Sequence, residues 1–104
     1  MKTSETITIR AGDRAIPLVE AGTELPVTKH ETLSTARDDQ ESVRCELAVD
    51  GRRVAFMEVG VPLEPRGVAQ VRLELRIDTN GSVHARLDGK DGMASASFSV
   101  GVRN

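Results

Sequence analysis

Apolar and polar residues alternate with period two along much of the chain, the pattern of strands with one dry and one wet face. In TITIRA (residues 6–11), Ile7 and Ile9 share a face, with Thr6, Thr8 and Arg10 on the other. VRCELAV sets Val43, Cys45, Leu47 and Val49 inward against Arg44 and Glu46. VRLELRI repeats the pattern more cleanly, with Val71, Leu73, Leu75 and Ile77 opposed to Arg72, Glu74 and Arg76. Val83, Ala85 and Leu87 of SVHARLD, and Ala94, Ala96, Phe98 and Val100 of ASASFSV, complete the inward set. One-sided burial of this kind is the habit of antiparallel sheets.

Turn chemistry separates these runs. Asn80-Gly81 is a strong hairpin signal because both residue types accept positive φ, and Asp50-Gly51 and DGKDG (88–92) mark two further turns. Pro17, Pro26, Pro62 and Pro65 lie at run edges or in connections, where a missing N–H costs least. No segment carries a sustained apolar stripe at helical spacing, and no repeat or low-complexity tract is present. The pattern predicts an all-β fold, an antiparallel β-sandwich of about eight short strands. Residues 1–5 are expected to be a loose tail and residues 6–104 a single domain. One stretch is odder than the rest: the hairpin VRLELRIDTNGSVHA is led in by VPLEPRGVAQ, with two prolines, an arginine and a glycine.

Composition narrows the function classes. A chain of 104 residues is one domain, and buries roughly 65% of its unfolded surface, enough to fold without staples. With 14 basic and 16 acidic residues and neither Trp nor Tyr, it lacks the basic face and some of the stacking groups that nucleic acid requires. One cysteine excludes an internal disulfide and fits a reducing compartment. MKTSETITIR has no apolar signal region and no run approaches membrane-spanning length, so the expectation is a soluble, cytoplasmic domain with no membrane partner.

Nothing points to catalysis. Phosphate loops, nucleophile elbows and paired carboxylates on one strand face are missing, and no cofactor is implied. Cys45 reads as a small buried hydrophobe, with no basic partner nearby in sequence. His30 and His84 share no metal-like spacing with each other or with Cys45. Asp38, Asp39 and Glu41 read as a solvated loop with local Asx-type turns.

The segment PLEPRGVAQVRLELRIDTNGSVHARLDGKDG resembles the substrate-binding β-domain of the seventy-kilodalton heat-shock (Hsp70, DnaK-like) chaperones. Pro65, Arg66, Gly67, Gln70, Asp78, Gly81 and His84 stand at the matching places. Upstream, LPVTKHETLSTARDDQESVRCEL resembles a second family segment through Leu25, Pro26, Ser34, Thr35, Ala36, Asp38, Gln40 and Val43. Two motifs in the right order, covering residue 16 to the C-terminus, make the resemblance specific. The departures are a first strand reading ITIRAGD where the family has Leu-Gly-Ile-Glu-Thr, Leu33 in place of an aromatic, and a shorter connection from Gly51 to Arg66, as if a loop and strand were trimmed. The family's ATPase domain and helical lid are not encoded in these residues, so the expected module is lidless and without nucleotide control. It is either a free-standing β-domain or part of a larger chaperone-like protein.

The resemblance implies a sandwich that holds extended, apolar polypeptide segments between loops at one end, by main-chain hydrogen bonds and one pocket for a large side chain such as leucine. Leu33, Val43, Cys45 and Val71 would line that pocket, with Ile9 and Ala11 contributed by the first strand. Ser34 and Ala36 would lie in the loop over the peptide, and Gln40 would hold that loop. The family's arginine at the place of Arg66 faces the lid; with no lid in these residues, the Pro-Arg-Gly lead-in is expected to remain as the turn that aims the next strand. Leu33 and Cys45, smaller than the family's residues, would soften the pocket. The alternative is a structural or interaction domain of the same fold that has lost peptide binding. Exposed edges also permit a weak homodimer, by edge pairing or by the tail SVGVRN entering another molecule's groove.

Overall fold

The computed structural model describes all 104 residues, and its regular structure is entirely β. In chain order the strands are β1 (Lys2–Thr3), β2 (Ile7–Ala11), β3 (Arg14–Val19), β4 (Val27–Ser34) and β5 (Ser42–Val49). They continue with β6 (Arg52–Gly60), β7 (Gln70–Ile77), β8 (Ser82–Asp88), β9 (Met93–Ser99) and β10 (Val102–Arg103). Two four-stranded antiparallel sheets, ordered β3-β2-β5-β6 and β4-β7-β8-β9, form the sandwich, and β1 pairs with β10 as a small third sheet.

The alternation places the core where it predicts. Ile7, Ile9, Leu47, Leu73, Leu75 and Leu87 are at most 1% exposed. Burying each such side chain contributes roughly 1.5–3 kcal/mol, which is what holds the two sheets face to face. The β5–β6 hairpin turns on Asp50 and Gly51, both at positive φ (48° and 84°). At the β7–β8 turn only Gly81 is left-handed (φ 88°), and the Asn80 carboxamide instead accepts the Ser82 amide at 3.0 Å.

Three strands were hidden from a period-two reading, each for a local reason. β3 carries Pro17, and its pairing with β2 slips between Ile7 and Thr8. β6 is bulged opposite Leu47 and Ala48, so the burial of Met57 and Val59 is out of phase with Val54. β4 puts Lys29 and Glu31 on its core-facing side, opposite Leu75 and Leu73, and so breaks the apolar alternation. The connection from Gly51 to Arg66, where a trimmed loop and strand were expected, holds the nine-residue β6.

The ends of the chain also differ from expectation. Residues 1–5 are not loose: Lys2 and Thr3 pair with Arg103 and Val102, and the Thr3 side chain is fully buried. The Glu5 carboxylate accepts the Gly101 amide at 2.6 Å, and Gly101 accepts the Ser4 amide at 2.9 Å. These bonds hold the C-terminal tail on its own molecule.

The two long sides of the sandwich are unlike. On one, the edge strands β6 and β9 pack together. On the other, β3 and β4 end their sheets and make no comparable contact with one another.

Candidate functional site

At one end of the open side, two connections bound a cleft of about 820 Å³. One wall is the β2–β3 turn from Ala11 to Arg14, left-handed at Gly12 (φ 61°), together with Ile16. The other runs from Leu33 at the end of β4, through the loop 35–41, to Arg44 in β5.

That loop is held from within by one side chain. The Gln40 carboxamide oxygen accepts the Ala36 amide at 2.9 Å, and its nitrogen donates to the Ser42 carbonyl at 2.6 Å. It is held from outside by the connection between β6 and β7. The Gly67 amide donates to both the hydroxyl and the carbonyl of Thr35, at 2.9 and 3.0 Å. The Arg66 amide donates to the Asp38 carboxylate at 2.8 Å, and the Asp39 amide to the Glu64 carbonyl at 2.9 Å. Gly67 makes its bonds at φ 82°, a left-handed conformation that favours glycine. The proline-arginine-glycine lead-in is thus a template against which the cleft's outer wall is folded. Asp38 spends its carboxylate on this long-range bond and not on the local Asx turn expected for it.

Of the residues singled out from sequence, Ala11, Leu33, Ser34, Ala36, Gln40 and Val43 border the cleft. Ile9, Cys45 and Val71 do not: they lie beneath it, 1%, 0% and 2% exposed, as members of the common core. Leu33 and Val43 are themselves nearly closed, at 4% and 3%. The accessible apolar surface of the cleft is therefore shallow, set by Ala11, Ile16 and Ala36, over a deeper apolar floor.

The rim is charged with both signs, a feature the apolar alternation left unread. Asp13, Asp39 and Glu41 are carboxylates on the rim; Arg14, Arg37 and Arg44 are cations. Arg44 leaves the cleft electrostatically by pairing with Glu58, whose carboxyl is held below its ordinary range by hydrogen bonds from Arg44 and from the Ser42 hydroxyl. The Cys45 thiol is pushed up to about 11 by burial and by neighbouring Glu46, so it is a packing group and not a nucleophile at neutral pH. Thr35 and Gly67, which join the loop to its template, were matched by family motif without their mutual contact being apparent.

Fold and cleft together define a small antiparallel sandwich with a loop-bounded groove at one end. No family model matches the chain. Among curated proteins it is 38% identical over 85 residues to "Chaperone protein DnaK" of Ureaplasma urealyticum, covering 72% of this chain and 14% of that protein. The protein of the same name from Anaplasma marginale is 35% identical over 82 residues, 71% of this chain and 13% of the relative. That of Mycoplasmopsis agalactiae is 31% identical over 98 residues, 86% of this chain and 16% of the relative. The chain belongs to the seventy-kilodalton heat-shock chaperone family and corresponds to its substrate-binding β-domain. It spans about a seventh of the length of the relatives it matches.

Proposed function

We propose that the domain binds extended segments of unfolded polypeptide in the cleft between the β2–β3 turn and the loop 35–41. The observation that carries this reading is the templated loop. Gln40, Thr35 and Asp38 fix its main chain in one conformation, so a peptide is met by preorganised groups and not by a loop that must first order. Main-chain bonding of this kind is indifferent to peptide sequence, and selectivity falls to whatever side chain reaches the apolar floor formed by Leu33 and Val43 over Ile9, Cys45 and Val71. A leucine-sized side chain suits that floor, provided Leu33 and Val43 move aside to admit it. The role is binding without catalysis, the partners are client polypeptides, and the single free cysteine is in keeping with a reducing, cytoplasmic setting.

A second reading has its own observation. Leu33 and Val43 are nearly closed, as in a domain that keeps the sandwich and no longer admits a peptide side chain. Fluorescence anisotropy with a dye-labelled, leucine-centred peptide separates the two. Binding that saturates, and is lost in Ala36→Trp, where an indole occupies the cleft, supports the peptide-binding reading. A flat titration, or binding unchanged by that substitution, supports the interaction-domain reading.

A further inference from the structure

β4 ends its sheet, so one row of its main-chain groups has no strand to bond. One hydrogen bond orients that row. The Thr35 amide donates to the Ala69 carbonyl at 3.3 Å, continuing the β4–β7 register in which Ser34 stands opposite Gln70. Bonded positions alternate along an antiparallel pair. Val27, Lys29, Glu31 and Leu33 therefore turn their main-chain groups into β7, and Thr28, His30 and Thr32 turn theirs out of the edge.

The side chains divide in the same rhythm. Val27, Lys29, Glu31 and Leu33 stand on the core-facing side, opposite Ile77, Leu75, Leu73 and Val71. Because β3 does not close over them, Lys29 is exposed and Glu31 half-buried. Thr28, His30 and Thr32 stand on the outer side, where His30 lies 3.5 Å from Glu74. A lysine and a glutamate on the inner side of an edge strand deter pairing with a foreign apolar strand, which would leave both charges facing hydrocarbon.

Against a second copy of this chain the same charges match. We propose that the domain forms a two-fold dimer in which β4 pairs antiparallel with β4 of the second copy, the axis passing between the two His30 residues. In that register Lys29 faces Glu31 of the second copy and Glu31 faces its Lys29. Thr28 faces Thr32, and Val27 faces Leu33. All three outward residues meet outward residues, so the main-chain bonds form. Moving the axis to residue 29 or 31 opposes two lysines or two glutamates. Moving it to residue 28 or 32 sets a charge against Val27 or Leu33. Any register that pairs an outward residue with an inward one loses the hydrogen bonds. The segment Val-Thr-Lys-His-Glu-Thr-Leu (27–33) is thus its own complement about His30.

Two four-stranded sheets become one continuous sheet, and the open side of each sandwich gains a neighbour. The cleft lies at the C-terminal end of β4, so antiparallel pairing sets the two clefts at opposite ends of the joined edge. None of this depends on what the clefts hold.

Charge exchange tests the register. Lys29→Glu and Glu31→Lys each turn both matched contacts into repulsions, and each should weaken dimerisation in sedimentation equilibrium by at least about tenfold. An equimolar mixture of these two variants should form the heterodimer, and the double variant Lys29→Glu/Glu31→Lys should recover self-association. Circular dichroism identifies any variant that has merely unfolded, and the mixture and the double variant then carry the decision. A wild-type chain that stays monomeric at about 1 mM overturns the proposal. So do single variants that associate as strongly as wild type, or a folded mixture that fails to pair.

Discussion

The two sides of this sandwich show the same architecture under opposite demands. Where β6 meets β9, Met57 and Val59 are 2% and 3% exposed, and the approach at the neighbouring Gly89 is close: a Cβ there would stand 3.2 Å from Val71 and 3.6 Å from Val59. Where β3 and β4 end their sheets, the inward positions hold Arg14, Lys29 and Glu31, and Ile16 is only half-buried. The closed side is core and answers to packing. The open side leaves main-chain groups and charges free, and there the cleft lies. On the proposed function, stability and recognition then fall to different edges of one fold.

The largest effect expected from this division is a packing one. Met57→Ala on the closed side should cost about 2–5 kcal/mol in urea unfolding, whereas Ile16→Ala on the open side should cost under about 1.5 kcal/mol, since less surface is lost. Equal losses would remove the distinction. Next comes a pH effect on the closed side, where Cys45 stands opposite Met57. Folding keeps its thiol protonated to about 11, against an ordinary value of 9.0. The stability this provides is present below pH 9 and is lost as pH rises toward 11. Wild type should therefore lose about 2–3 kcal/mol across that window beyond what Cys45→Ala loses, as read from paired urea melts at the two pH values. The smallest effect concerns the cleft wall. Asp38→Ala should cost only about 1 kcal/mol, yet hydrogen exchange at the Arg66 amide, which donates to that carboxylate, should accelerate while the amides of β7 and β8 stay protected.

Much of the fold was legible because the strands at its centre are half-wet and alternate strictly. β5, β7, β8 and β9 follow their sequence patterns closely, and Leu73, Leu75 and Leu87 are buried as those patterns predict. The edges were not legible. β3 and β4 lie where burial is incomplete, so Pro17, Lys29 and Glu31 replace the alternation that reveals a strand. The paired termini were hidden for another reason: Lys2 and Thr3 are held by hydrogen bonds to residues about a hundred positions away, which no local pattern encodes. The cleft was half legible. Ala36 and Gln40 of its loop came from motif resemblance, while Ser34, expected in the loop, is the last residue of β4; the template that shapes the loop, Gly67 on Thr35 and Arg66 on Asp38, is a contact between two motifs. Ile9, Cys45 and Val71 share the inward alternation with cleft residues and with core residues alike, and only the depth of the cleft separates the two sets.

An amide-resolved NMR titration with a leucine-centred peptide tests the central claim most directly. The account predicts saturable shifts at residues 11–14 and 34–40, facing one another across the cleft, with the closed-side amides of β6 and β9 unmoved. No shifts at about millimolar peptide, or shifts confined to surfaces away from the cleft, would contradict it.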